Sequence, residues 1–338
     1  MLLKRLTDAN GLPGFECEVR EIIKQEIAPF VDEMHTDRMG NLIAVKNKNA
    51  GGRHLALAAH MDEAGMCVTH ITDKGYLKFE SWGVDPRILP SKVVRIGKGR
   101  LAGVIGSKAY HLQEPAERKK AIALDKLYID IGAESREEAA KLVDIGEYVA
   151  FASEYMEYGS KIKAKALDDR VGCMAVIEAL KQDMPHKLTA CFNVQEEVGL
   201  RGSFISAYQV HADLVLNLEG TVCADTMGVK GHQTVTVQGL GPAISMLDKS
   251  SIYLKKYYEA LIAVAEKNNI PYQMRRTGMG GTDAANYHTA RDGTPVIGLA
   301  VPCRYIHSPV SVVDKRDLEN YTALVQKFIV AYAGGEVL

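Results

Sequence analysis

The sequence predicts an α/β chain with a mixed, largely parallel sheet and flanking helices, into which a small β-rich domain, a barrel or a sandwich, is inserted. Three observations lead there. Short runs that are apolar at nearly every position alternate with stretches of helical period. Between about Gly65 and Gly159 the texture changes to short alternating runs separated by glycine. Five apolar runs end on, or just before, an acid or a histidine, as strands do when they deliver ligands to one edge of a sheet.

Taken in order, residues 16–30 space Val19, Ile22, Ile23, Ile27 and Phe30 at helical period and predict an amphipathic helix. The run NLIAVK after Gly40 predicts a strand. HLALAAH, stopping at His60, has the composition of a strand buried on both faces of a parallel sheet. The runs MCVTHIT, GYLKFES, KVVRIG, LAGVIGS, LYIDIG and EYVAFAS then predict the strands of the inserted domain. SREEAAKLV interrupts them as a short helix with Ser135 and Glu138 in capping-box positions, and the polar, basic GSKAYHLQEPAERKKAIALD is expected to be that domain's mobile loop. Downstream, RVGCMAVIEALKQ reads as helix, LTACFNV as strand, Ser203 to Tyr208 as helix and LVLNL as strand. A long helix around Lys249 to Asn268, the strand TPVIGLAV and a last helix from Lys315 to Tyr332 complete the rhythm. The expected domains are residues 1–64 with 160–338, an α/β catalytic domain, and residues 65–159, inserted, with ends that must lie close together.

The 338 residues and 47% hydrophobic composition suffice for two packed cores. The 41 basic and 42 acidic residues nearly cancel and are interspersed, so no field selects nucleic acid or an anionic membrane. MLLKRLTDANG has two leucines before its first charge, and no apolar run reaches the ~18 residues of a membrane span, so a cytoplasmic location is expected. Six isolated cysteines, Cys17, Cys67, Cys173, Cys191, Cys223 and Cys303, without a CxxC pair, are expected to be free, buried thiols of a reducing compartment.

The chemistry sits in LALAAHMDE, KAKALDDRVG, ACFNVQEEVG, LVLNLEG and PCRYIHSP. In HMD, His60 and Asp62 are two apart on an extended chain, which places Asp62 to orient a metal-ligating His60. Asp168 and Asp169 precede a helix; Asp169 suits a cap, leaving Asp168 as a bridging ligand. Glu196 and Glu197 follow an apolar strand, where two neighbouring carboxylates need compensation, so one is read as a metal ligand and the other as a general base. Glu219 has the same apolar approach, and His307 lies between Tyr305 and Pro309. Each has an ordinary reading, as surface acid, cap or core histidine. Their joint pattern, two histidines and several acids at strand ends, is that of a two-metal hydrolase. GMGGTDAANYH adds Gly278, Gly280 and Gly281 as a tight turn, with Thr282 and Asp283 expected to cap the turn after them. His111, His232 and His288 are expected to be structural or exposed.

The stretches AHMDEAG, ALDDRVG, QEEVGLRGS, GGTDA and RYIHSP, in that order, resemble the M42 metallopeptidases, a family that includes glutamyl, deblocking and tetrahedral aminopeptidases. The resemblance covers essentially the whole chain and implies a zinc-exopeptidase-like fold. It implies His60 with Glu219 on one ion, Glu197 with His307 on the other, Asp168 bridging and Glu196 as the catalytic base. Many members have aspartate where Glu219 stands, and others a glutamate in the same LEG context. Two divalent ions per chain are implied, zinc or cobalt, with manganese a third option, activating a bridging hydroxide against peptides that have a free N-terminus. Homo-oligomers, built up to a tetrahedral dodecamer of dimers, are also implied, and Asp283 borders the substrate crevice.

Rival readings are a glycosidase using Glu196 and Glu197, a deacylase or carboxypeptidase of the same architecture, and a noncatalytic metal-stabilised peptide-binding assembly. Adjacent strand residues point apart, and one tryptophan, Trp82, is little for a sugar cleft, which disfavours the first. The deacylase or carboxypeptidase needs a cation for its substrate's carboxylate, for which Arg201, Arg276 and Arg304 are the candidates. The same three arginines leave an acidic first-residue preference open beside a broad apolar one.

Overall fold

The structure, a computed structural model, describes residues 1–276 and 280–338. The chain divides into two compact units, residues 1–62, 155–306 and 310–338 in one and residues 63–154 with 307–309 in the other.

The first unit is built on an 11-stranded mixed sheet. Its centre holds four parallel strands in the order Leu188–Asn193, Leu55–His60, Leu214–Val222 and Val296–Arg304. Antiparallel strands Glu33–Thr36 and Leu42–Lys46 extend one side. Ser311–Asp314, Lys161–Ala164 and Met156–Tyr158 extend the other. The strand Leu55–His60 is buried at all six positions, as its unbroken apolar composition requires. Leu55, Leu57 and Ala59 pack on one face of the sheet with the helices Leu167–Leu180 and Lys315–Ala333. Ala56 and Ala58 pack on the other with Ala207 and Tyr287 of the helices Arg201–Gln209 and Ala284–Thr289. Leu167–Leu180 is apolar around most of its circumference because the sheet and the helices Leu2–Asp8, Cys17–Ile27 and Lys315–Ala333 surround it.

The second unit is a closed six-stranded barrel, Gly65–Ile71, Leu77–Trp82, Tyr128–Asp130, Leu101–Gly106, Val93–Ile96 and Tyr148–Phe151 in order round the wall. Alternate residues such as Met66, Val68, Leu77, Phe79, Val94, Ile105, Ile129 and Val149 fill its core. Ser135 caps the short helix Arg136–Ala139 through the Glu138 N–H. Glu138 reaches the Glu134 N–H instead of Ser135 itself, so the expected box is not reciprocal. Three 3-10 turns occupy the stretch between Gly106 and Tyr128.

Several expected boundaries shift. The first amphipathic helix ends at Ile27, because Pro29 cannot continue it, and Phe30 lies in a 3-10 turn. The helix expected from Lys249 begins at Lys255. Before it, the Asp248 carboxylate accepts the Ser250 and Ser251 N–H groups and folds the chain into a turn. All six cysteines are free, four buried and Cys17 and Cys67 partly exposed. Among the described residues no helix is long and apolar enough to cross a membrane.

Candidate metal centre

Parallel strands deliver their last residues to one edge. His60 ends its strand opposite Asn193, and Glu219 lies on the next strand. Asp168 comes to the same place from the start of the helix Leu167–Leu180, where it and Asp169 have non-helical dihedral angles and are joined by a cis peptide. His60 Nε2 lies 3.4 Å from Asp168 Oδ1 and 3.5 Å from Glu219 Oε2. One donor atom from each of these three falls within 4.8 Å of the others, and a Glu197 carboxylate oxygen lies within 4.8 Å of Asp168. Gly220 makes the approach feasible, since a Cβ there would meet the Asp168 Cα at 3.1 Å.

Hydrogen bonds fix the donors. His60 Nδ1 lies 3.1 Å from the main-chain oxygen of Asp62 and 3.5 Å from its carboxylate. An Nδ1–H donated to either oxygen leaves the Nε2 lone pair facing Asp168 and Glu219, as a ligand needs. The fully buried Asp62 carboxylate accepts the Glu196 N–H at 2.9 Å and the Glu197 N–H at 3.0 Å, so one side chain orients both the histidine and the double-glutamate loop. Asp169 accepts the Gly172 N–H at 2.9 Å, the capping role expected of it, and the His60 N–H at 3.2 Å. Asn217 Nδ2 donates to Glu219 Oε1 at 3.0 Å.

Burial raises the Glu219, Glu196 and Asp169 carboxyls well above the usual range, and neighbouring acids add to it in each case. Burial alone would lower His60, but Asp168, Asp62, Glu196 and Glu219 outweigh it and raise the imidazole well above its ordinary value. So much negative charge around one imidazole is costly without a cation. An imidazole nitrogen with several carboxylates suits zinc, cobalt or manganese.

The M42 glutamyl aminopeptidase family model matches residues 40–324. The chain belongs to the M42 family of metal-dependent aminopeptidases. A further model, described as AMPT, matches residues 1–23. The M42 chain is 39% identical over 331 residues to a protein of Acetivibrio thermocellus provisionally named an aminopeptidase, covering 97% of each. It superposes with a TM-score of 0.93 on a TET aminopeptidase from a marine sediment archaeon, Thaumarchaeota archaeon SCGC AB-539-E09, at 35% identity over 97% of this chain and 95% of that one. The TET1 peptidase of Pyrococcus horikoshii, described as able to assemble into a tetrahedron or a large octahedral shell, gives a TM-score of 0.85 at 34% identity over 96% and 97%.

The remaining residues expected from the sequence take different places in the M42 chain. His307 belongs to the three-residue segment grouped with the barrel unit, where its Nδ1 lies 2.8 Å from the Gly83 carbonyl oxygen. Gly278 lies outside the described residues. Asp283 occupies the N-cap position of Ala284–Thr289 without a side-chain capping bond, and the Thr282 hydroxyl donates to Asp248 Oδ2 at 3.5 Å. Asp283 is instead fully buried, accepting from Asn193 Nδ2 at 2.8 Å. Of the three arginines, Arg304 grips both Asp225 oxygens, at 2.6 and 2.8 Å, whereas Arg201 and Arg276 are exposed. His111 and His232 are exposed, and His288 is half-buried.

Sequence reasoning passed over Asn193 and Asn217, both fully buried. An asparagine inside an otherwise apolar run, two or three residues before an acid, was the available signal.

Proposed function

We propose that the chain is a dinuclear metal-dependent aminopeptidase in which His60 and Glu219 would hold one ion, Glu197 and His307 the other, and Asp168 would bridge them. The observation that carries this reading is the convergence of His60, Asp168 and Glu219, with Glu197 beside Asp168. For His307 the support is the RYIHSP motif and its position. It follows Arg304, the last residue of a central strand, in the connection leading to the paired strand Ser311–Asp314. Bound divalent ions would polarise the scissile carbonyl and ease ionisation of water.

The chain's own residues supply the proton handling. Glu196, fixed through its main-chain N–H by Asp62, takes a proton from the attacking water and passes it to the leaving amine. Asp168, Glu197 and Glu219 supply carboxylates of the sign that two divalent cations need, and His60 supplies a neutral nitrogen donor. Arg304 is committed to Asp225, so an acidic first residue would depend on Arg201 or Arg276. The barrel unit is assigned to dimer formation and substrate access. Homo-oligomeric assembly follows the likeness to the Pyrococcus horikoshii peptidase, and a cytoplasmic location fits six free thiols.

Glu196→Ala tests the assignment. Turnover is expected to fall by roughly 10²–10⁴-fold, with two metal ions per chain still present by elemental analysis. Turnover near the wild-type rate would remove Glu196 from the role.

A further inference from the structure

Four consecutive main-chain N–H groups of the loop bearing Glu196 are held by side-chain oxygens. Val194 N–H donates to Asn41 Oδ1 at 3.0 Å and Gln195 N–H to Glu16 Oε1 at 3.3 Å. The Glu196 and Glu197 N–H groups go to the two Asp62 oxygens. Main-chain bonds brace the loop as well, the Leu200 N–H donating to the Glu196 carbonyl at 2.9 Å and the Arg201 N–H to the Gln195 carbonyl at 3.2 Å. Among the side-chain anchors, Glu16 is the one that holds the residue immediately before the base.

Glu16 is itself fixed. It is 3% exposed and accepts the Gly14 N–H at 2.7 Å on the same oxygen. The segment before it is tied down by buried cations, Arg170 donating to the Leu6 carbonyl at 2.6 Å and Lys165 to the Ala9 carbonyl at 2.9 Å. Gln195 has φ +55°, a left-handed conformation unfavourable to a residue with a Cβ, so its place in this loop depends on the bonds around it. Burial, with the Asp62 charge adding, pushes the Glu16 carboxyl up to about 7. One side-chain oxygen, Oε1, accepts both N–H groups, so an uncharged side chain of the same length with an acceptor oxygen can make the same two bonds.

We propose that Glu16 is a positioning residue for the general base, its side-chain oxygen holding the Gln195 N–H and through it the aim of Glu196. This rests on Glu196 being the base. The role assigned to Glu16 is on the loop, through the Gln195 N–H, and not on substrate or metal.

The test compares Glu16→Ala, Glu16→Asp and Glu16→Gln in the full-length, metal-loaded protein, with Glu196→Ala alongside. Glu16→Asp keeps the charge but is too short to reach Gln195, whereas Glu16→Gln keeps the length and the acceptor. Glu16→Ala and Glu16→Asp should lower kcat about tenfold or more, with KM within about twofold and unchanged metal content. Glu16→Gln should recover at least about half of the wild-type kcat. If Glu16→Ala does not fold, the Asp and Gln variants decide alone. A folded Ala or Asp variant with wild-type kcat, or a Gln variant as impaired as Asp, overturns the proposal. An active Glu196→Ala would instead overturn the base assignment, whatever the Glu16 variants do.

Discussion

Asp62 is the residue on which the site's geometry depends most, because one buried carboxylate joins His60, the proposed ligand, to the loop of Glu196, the proposed base. Asp62→Ala leaves the Glu196 and Glu197 N–H groups without their acceptors. It should cost about 10–100-fold in kcat/KM or metal affinity, as loss of a partner behind a ligand generally does. Steady-state kinetics with metal titration reads this, and an unaltered kcat/KM at unaltered affinity contradicts it. His60, Asp168 and Glu219 were legible in the sequence because apolar runs rarely stop on such groups without a reason. Asn41 and Glu16 were not, since they act on main-chain N–H groups far away in the chain, and no pattern in the sequence marks those partners.

At the scale of elements, the loop from Val194 is pressed against the start of the helix Arg201–Gln209. A Cβ on Gly202 would lie 2.3 Å from the Val194 carbonyl oxygen and 2.4 Å from Asn41 Oδ1. Gly202→Ala must therefore push the loop off its anchor. It should destabilise the protein by about 1–3 kcal/mol, measured as a lowered urea midpoint, and lower kcat as well. An unchanged midpoint with full activity contradicts this packing account. The central strands were legible because full burial leaves an unbroken apolar run. The three-residue strands Met156–Tyr158, Ala243–Ser245 and Gln273–Arg275 were not, being too short to show a period. The helix assigned from Lys249 failed for another reason, an aspartate turn that competes with helix through side-chain bonds.

For the whole molecule, the crowding of acids predicts how the metal-free protein responds to pH. Glu219, Glu196, Asp169 and Asp283 are raised, burial being the largest cause, and Glu16 is raised to about 7. His60 is raised too. Such groups hold protons in the folded state that the unfolded chain has released, so stability falls as pH rises through roughly 5 to 8. Asp225, Glu26 and Asp314, the last at about 2, are lowered and lose their contribution only on acidification below the usual carboxylate range. A net charge of −1 at pH 7 keeps general repulsion small. The Tm of chelated protein should therefore decline across that window, and added zinc should reverse the decline. A Tm that is flat or rising with pH before metal is added contradicts the account. The β-rich insertion was legible as glycine-separated alternating runs, but barrel and sandwich share that pattern, and only the pairing of Gly65–Ile71 with Tyr148–Phe151 closes the wall.

The measurement that bears most directly on the central claim is turnover of a panel of aminoacyl amides, each with a free or an N-acetylated amine, by metal-stripped full-length protein to which Zn²⁺, Co²⁺ or Mn²⁺ is returned. Metal-restored cleavage confined to the free-amine substrates is the predicted result, and the fastest substrate would name the preferred first residue. Cleavage of the acetylated series, or no cleavage with any of the three ions, would contradict the account.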